Sequence, residues 1–416
     1  MTGKPSSPIG PLINRARAEA ILDRFGVSAL VLGETVNIYH ATGFWPQTLE
    51  MGHLGSSLAV VPRDRTLPVT LVTTQFLHYF YDLGRPNLAL RLYTAPHGDD
   101  RTEAAPPTFF VPARDGTSDR FEREARAGTL AALAEVPAAP NAMAALEAAL
   151  GDLGAGAPLA VDGSVARQMV GEHNRPIEAE PLLRRIRMIK SPAEITLMRH
   201  AAQSNAAAAR AAVAQMQPGN RYADLRNAFF AETGLRGGRP SFMAIDSRAA
   251  EHRDGVIREG RSIQMDAVAS YEHYHGDFGR TILVGHPHPA LRRALDGAVR
   301  ANRAIAAALS PGIRYSDIMR IGREAAGPDA PLPASPHSVG LFHTDEAFEG
   351  DGLCFAKADH LIEKDMVLSV DCPALVTGMG GTVHLEDLWL ITETGCEPLN
   401  DPGEPWLTIG DGGGEA

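Results

Sequence analysis

The chain has 416 residues, enough for two domains, and 44% hydrophobic content supplies ordinary globular cores with no apolar run long enough to span a membrane. A formal net charge of −11 disfavours a polyanionic partner, and no basic stripe offsets it, so nucleic-acid binding is not expected. Three cysteines (Cys354, Cys372, Cys396) lack the spacing of a disulfide framework or thiolate metal site, and MTGKPSSPIGPLI lacks the basic and apolar parts of a secretion signal; a reduced, cytoplasmic setting is the expectation.

Residues 1–15 read as a loose lead bearing Pro, Ser and Gly. Ala16–Phe25 has the spacing of an amphipathic helix, VSALVLG that of a buried strand, and NIYHATGF that of a loop-bounded strand. SSLAVVP and LPVTLVT continue the strand pattern, and GDDRTEAAPPTFFVPARDGTSD reads as an irregular connection. Ala-rich helices follow around Ala125–Leu133 and Ala142–Leu150, then PLAVDG as a buried strand. This alternation predicts an α/β domain with a parallel or mixed sheet.

A domain boundary is expected near Leu183, dividing the chain into residues 1–182 and 183–416. Beyond it Ser191 is a helix N-cap with Pro192 at the first helical position and Glu194 behind it. That helix ends at PGNRYADL, where a second begins. HPHP at 286–289 reads as a turn, LRRALDGAVRANRAIAAALSPG as a long helix closed by Pro311 and Gly312, and DGGGEA as a disordered tail. No tandem repeat is present.

Four carboxylates and one imidazole mark the last third of the chain. Asp266 and Asp277 bracket a strand–turn–strand, QMDAVASYEHYHGDFGRTILVG; His337 sits in SPHSVGLFHTDE, Asp371 in MVLSVDCPAL and Glu386 in TVHLEDLWLIT. Each acid lies in or beside an apolar, strand-like run, where an unpaired charge is expensive. Four ionised acids that converge there carry −4, which two divalent cations neutralise. Two dications about 3.5–4 Å apart repel by roughly 17–19 kcal/mol at an effective dielectric near 20, and bridging carboxylates offset that repulsion. A lone imidazole leaves room for water, whose pKa falls toward about 7 on a metal. The expected chemistry is hydrolysis.

In order and context these five residues resemble the pita-bread metallopeptidases, the group of methionine aminopeptidase, aminopeptidase P and prolidase. DFGRT is similar to the family's second-Asp strand, PHSVGL to its His-Gly-Ile-Gly-Leu, EKDMVLSVDCP to Pro-Gly-Met-Val-Leu-Thr-Ile-Glu-Pro, and HLEDLWLITETG to Arg-Ile-Glu-Asp…Val-Thr-Glu-Gly. The resemblance runs from about Leu183 to Leu399, and more weakly through the N-terminal part, which is similar to the creatinase/prolidase N-terminal domain and implies a substrate-covering role. It implies a pita-bread α+β catalytic domain over 183–416, one or two divalent ions (Mn, Zn, Co or Fe) on Asp266, Asp277, His337, Asp371 and Glu386, and catalytic roles for His252 and His343. The implied activity is an Xaa-Pro aminopeptidase or dipeptidase acting on short peptides through metal-bound hydroxide, in a homodimer that needs neither membrane nor nucleic acid.

Two features depart from the family. Asp371 stands where Glu is usual, withdrawing the carboxylate by one methylene, about 1.5 Å. His343 follows His337 by six residues where seven are usual, with HTDE replacing His-Glu. Both keep open a hydrolase or lyase of a small metabolite on the same fold, similar to ectoine hydrolase, dimethylsulfoniopropionate lyase or creatinase. A non-catalytic binding protein would have lost ligand positions, and none is lost. His384 shares a strand side with Glu386 and is placed to act behind the metal ligands; His273 and His275 lie near the turn before Asp277, and Tyr271, Arg280 and Thr281 are candidates to support the shell.

Overall fold

The computed structural model describes residues 11–81, 83, 87–94, 118–154, 156–246, 254–328, 335–348, 358–376 and 381–410. The expected disordered tail, most of the irregular connection after position 97, Cys354 and His252 lie outside the described residues. Two units result, Met1–Ile186 and Arg187–Ala416. No helix among the described residues is long and apolar enough to cross a membrane.

The first unit is built on a mixed sheet of β1 (Ala29–Leu32), β2 (Ser57–Pro62), β3 (Val69–Thr74), β4 (Leu88–Tyr93), β5 (Leu159–Val161) and β6 (Ile177–Glu178), in the order β4-β3-β2-β1-β5-β6. Strands β1 to β3 are buried along their whole length, because both faces are covered. Alternate residues divide between two cores: Leu30, Leu32, Ala59, Val61 and Leu71 pack with Ile21, Leu22 and Ile38. Ala29, Val31, Leu58, Val60 and Val72 pack with Ala145, Leu146 and Ala149.

One expectation here is overturned. NIYHATGF has the pattern of a strand, yet Thr35–Thr42 is a helix. Its start is anchored by Asp162 at the end of β5, which accepts from the Gly33 amide and, at 2.5 Å, from Asn37 Nδ2. Its end is set by Gly43, left-handed at φ 72°, whose N–H closes on the Tyr39 carbonyl at 2.7 Å. Both determinants outweigh the local strand preference of Ile38 and Tyr39, and one of them lies over a hundred residues away.

The second unit holds two sheets. The larger comprises β7 (Arg239–Ile245), β8 (Ser262–Tyr271) and β9 (Tyr274–Val284), joined later by β12 (Ala374–Val376), β13 (Gly381–Val383), β14 (Leu385–Glu386) and β17 (Trp406–Ile409). The smaller is β10 (Ser335–Ser338), β11 (Val367–Asp371), β15 (Leu388–Ile391) and β16 (Cys396–Pro398), in the order β10-β11-β15-β16. Strands β8 and β9 form a hairpin whose two-residue loop, Glu272–His273, has φ of 47° and 68°. Positive φ at both positions matches the right-handed strand twist, so the hairpin stays tight and Asp277 falls inside β9.

Helix Pro192–Val213 lies against this hairpin. Its alanine-rich face permits close approach: a Cβ on Gly276 would overlap Asn205 and the Ala201 carbonyl, and Asn205 Nδ2 donates to Ala267 O at 2.7 Å. The helix opens on the expected N-cap, Ser191, which Glu194 completes into a capping box. The Glu194 amide donates to Ser191 Oγ at 3.2 Å, and the Ser191 amide donates to Glu194 Oε2 at 2.8 Å. Ser191→Ala should therefore lower stability by about 1 kcal/mol, read as a shift in the urea midpoint at unchanged slope. The HPHP segment ends in a helix start, since Pro289 is the first residue of helix Pro289–Ala308 and His288 Nδ1 accepts from the Ala290 amide at 3.1 Å. That helix and Tyr315–Ala326 cover the core formed by Leu368, Val370, Val383, Leu385 and Ile391.

Candidate metal centre

Strand pairing assembles the acids. Asp266 on β8 lies opposite Gly279 on β9, and Glu386 on β14 lies opposite Gly279 from the other side. Directly paired residues share a face, so Asp266 and Glu386 flank a glycine on one surface, and Asp277, two residues before Gly279, joins them. The missing side chain is essential, because a Cβ at Gly279 would overlap both the His384 ring and Glu386 Cβ. From the other sheet, the β10–β11 pairing puts His337 opposite Ser369 and Ser335 opposite Asp371. His337, Ser369 and Asp371 therefore project from one face toward the same point.

All five expected ligand residues meet. His337 Nε2 lies 3.6 Å from Asp277 Oδ2, 3.6 Å from Asp371 Oδ2 and 3.7 Å from Glu386 Oε1. His343 Nε2 is 3.1 Å from Asp277 Oδ2, and His384 Nε2 is 3.0 Å from Glu386 Oε2 and 3.6 Å from Asp371 Oδ1. Ser369 Oγ donates to Glu386 Oε1 at 2.5 Å. Among the described residues, donor trios close enough to share an ion are Asp277–His337–His343, Asp266–His384–Glu386 and His337–Asp371–Glu386.

The electrostatics are those of crowded, buried acids. Burial, and then the neighbouring Glu386 carboxylate, push Asp266 up to about 7 and Asp371 up to about 6, and raise Asp277 well above the usual range. Burial acts upward on Glu386 as well, but His384 through its hydrogen bond and His337 from 3.7 Å outweigh it and hold Glu386 low.

These residues fit divalent cations. Asp266 Oδ1, Asp277 Oδ1 and His337 Nδ1 are buried without a hydrogen-bond partner, an arrangement that costs about 1–3 kcal/mol per group unless something else satisfies it. Donor separations of 3.0–3.7 Å also match the spacing around an ion with bonds of about 2.1 Å, which is about 3 Å between octahedral neighbours and about 3.4 Å between tetrahedral ones. With no ion, Asp371 and Asp266 hold protons below about 6 and about 7, and an arriving cation must displace them. Apparent metal affinity should climb as pH rises through those two values. Titration calorimetry in buffers of different protonation enthalpy checks this, and affinity independent of pH across that window would refute it.

The altered HTDE loop has its own support. Asp345 accepts from buried Arg187 Nε at 2.7 Å, with Lys190 Nζ 3.9 Å from its other oxygen. Glu346 Oε2 accepts from Tyr315 Oη and the Ser338 amide, each at 2.9 Å. These bonds seat the loop so that His343 reaches Asp277 despite the shortened spacing. His275 stays outside the cluster, its Nδ1 3.3 Å from the Gly340 carbonyl, and burial pushes His273 down to about 4. Sequence reasoning missed Ser369 and Gly279; a glycine inside a strand run, as in DFGRT, is the signal that could have found the second.

Residues 196–393 match metallopeptidase family M24. The chain is 25% identical to the Xaa-Pro dipeptidase of Pyrococcus furiosus over 262 residues, which is 58% of this chain and 73% of that one. It is 24% identical to the Xaa-Pro dipeptidase of Pyrococcus horikoshii over 238 residues, 53% of this chain and 65% of that one, just under two thirds of its length. In fold it is similar to dipeptidase PepE from Mycobacterium ulcerans (TM-score 0.63, 19% identity, 95% of this chain and 96% of that one). The X-Pro aminopeptidase from Thermotoga maritima is similar as well (TM-score 0.67, 15% identity, 93% of this chain and 99% of that one).

Proposed function

With residues 196–393 belonging to metallopeptidase family M24, we propose that the chain is a metal-dependent exopeptidase of Xaa-Pro dipeptidase or aminopeptidase type, acting on short peptides. The observation that carries this reading is the meeting of Asp266, Asp277, Asp371 and Glu386 with His337 at one buried point, several of their polar atoms unsatisfied. These five residues would hold one or two divalent cations, which would supply Lewis acidity and an activated water.

The chain's own residues then divide the work. His343, with 37% of its side chain exposed, stands at the open edge of the cluster, its Nε2 3.1 Å from Asp277 Oδ2. From that edge the imidazole is placed to reach the oxygen on which charge develops when a peptide carbonyl is attacked. Asp371, 26% exposed, is open enough to exchange a proton with the substrate. Strands β8, β9, β10, β11 and β14 carry Asp266, Asp277, His337, Asp371 and Glu386, where geometry is steadier than on loops, while His343 is carried on the loop braced through Asp345 and Glu346.

The test is metal content of the purified chain before and after chelation, with hydrolysis of Xaa-Pro and non-Pro dipeptides. The expected result is chelator-sensitive cleavage and up to two ions per chain. Each ion at a hundredfold excess over its Kd should also stabilise the fold by about 2.7 kcal/mol, visible as a concentration-dependent Tm. Bound metal without peptide turnover would shift the reading to hydrolysis or lysis of a small metabolite, and no uptake from metal-replete buffer would sink it.

A further inference from the structure

The family resemblance and the five expected ligands leave His384 unassigned to the metal itself. Its ring is buried and lies between two carboxylates, with Nε2 3.0 Å from Glu386 Oε2 and 3.6 Å from Asp371 Oδ1. Asp266 completes a donor trio with His384 and Glu386, and Asp266 Oδ1 is buried with no hydrogen-bond partner. His384 also occupies the position of the arginine in the Arg-Ile-Glu-Asp text. It therefore puts an imidazole, which can offer a nitrogen lone pair, where the family text has a guanidinium, which cannot.

The ring has nowhere else to go. Thr281 Oγ1 accepts from the His384 amide at 2.8 Å and donates to the His384 carbonyl at 3.0 Å, clamping its backbone from both sides. Gly279 supplies the space the ring fills, since any Cβ there would overlap it. Asp266, Glu386 and the imidazole Nε2 would together offer three donors to a cation, Nε2 being 3.0 Å from Glu386 Oε2. Asp371, shorter by one methylene than the usual glutamate, reaches less far toward the same place, and His384 is the donor positioned to make up that coordination.

We infer that His384 is a direct metal ligand, so that the centre has two imidazole donors, His337 and His384, beside its four carboxylates. This rests on the metal-dependent reading above. A second imidazole shifts the donor set from oxygen-dominated toward the mixed N/O character that favours zinc, cobalt or iron over magnesium.

The decisive measurement is the crystal structure of the full wild-type chain loaded with Co2+, with ions located by anomalous scattering. The expected result is an ion about 2.0–2.1 Å from His384 Nε2. His384→Ala, assayed for Co2+ content by mass spectrometry, should lose one equivalent or bind it at least about tenfold more weakly. Ions beyond about 3 Å from Nε2, with the ring still bonded to Glu386, would overturn the inference and leave the metal-dependent reading intact. Absence of any ion in the wild-type chain would overturn both. The wild-type structure decides the matter even if the alanine variant does not fold.

Discussion

Gly279→Ala is expected to abolish metal-dependent activity while leaving most of the second unit folded. The added Cβ would occupy the place of the His384 ring and press on Glu386 Cβ. Glu386 is held opposite Gly279 by β9–β14 pairing, and His384 by Thr281, so neither can retreat without disturbing the strand. Overpacking of this kind costs about 1–3 kcal/mol in stability. The displaced donors should weaken metal binding by roughly 10–100-fold or more, as loss of orienting contacts does elsewhere. Metal titration and urea unfolding of the same variant separate the two effects. Wild-type metal affinity in Gly279→Ala would mean that the two strands are not packed as described.

Arg280→Ala should produce the largest loss of stability. The side chain leaves β9 on the face opposite Gly279, is wholly buried, and pairs with Asp387 Oδ1 at 2.7 Å. It also donates to the carbonyls of Glu386 at 2.7 Å, Gly279 at 2.8 Å and Pro402 at 2.6 Å, while Phe278 lies under its guanidinium at 4.1 Å. Removing it leaves Asp387 buried with Asn400 as its remaining hydrogen-bond donor, at 2.6 Å, and several carbonyls unsatisfied. Breaking a buried pair in this way costs about 3–5 kcal/mol. Arg280→Lys should rescue little, because one ammonium cannot reach four acceptors arranged around a planar fork. Chemical denaturation gives the magnitude, and a loss under about 1 kcal/mol would contradict the burial of this network. Since Arg280 grips the Glu386 carbonyl, the variant should bind metal more weakly as well.

How much of this was legible beforehand depended on the range of the interaction. Helix Pro192–Val213 and its N-cap were readable because Ser191, Pro192 and Glu194 act within one turn. The hairpin bearing Asp266 and Asp277 was readable because strand alternation is local. Thr35–Thr42 was misread because Asp162, which anchors its start, arrives from a distant strand. The loop carrying His343 could not be judged from its shortened spacing, because Arg187 and Tyr315, both far from it in the chain, hold it in place.

By itself, then, the sequence determined the donor types and their order: four acids and an imidazole set in apolar strands, an expense that chains rarely carry without a charge to neutralise it. Only the tertiary structure decided that Asp266, Gly279 and Glu386 form one row across a sheet, that a second sheet brings His337 and Asp371 to meet them, and that His384 Nε2 stands 3.0 Å from Glu386 and 3.6 Å from Asp371. The physical reason is register. Slipping a strand by one residue turns every side chain to the opposite face, and register is set by pairing and packing across the whole unit, which no local window of sequence contains.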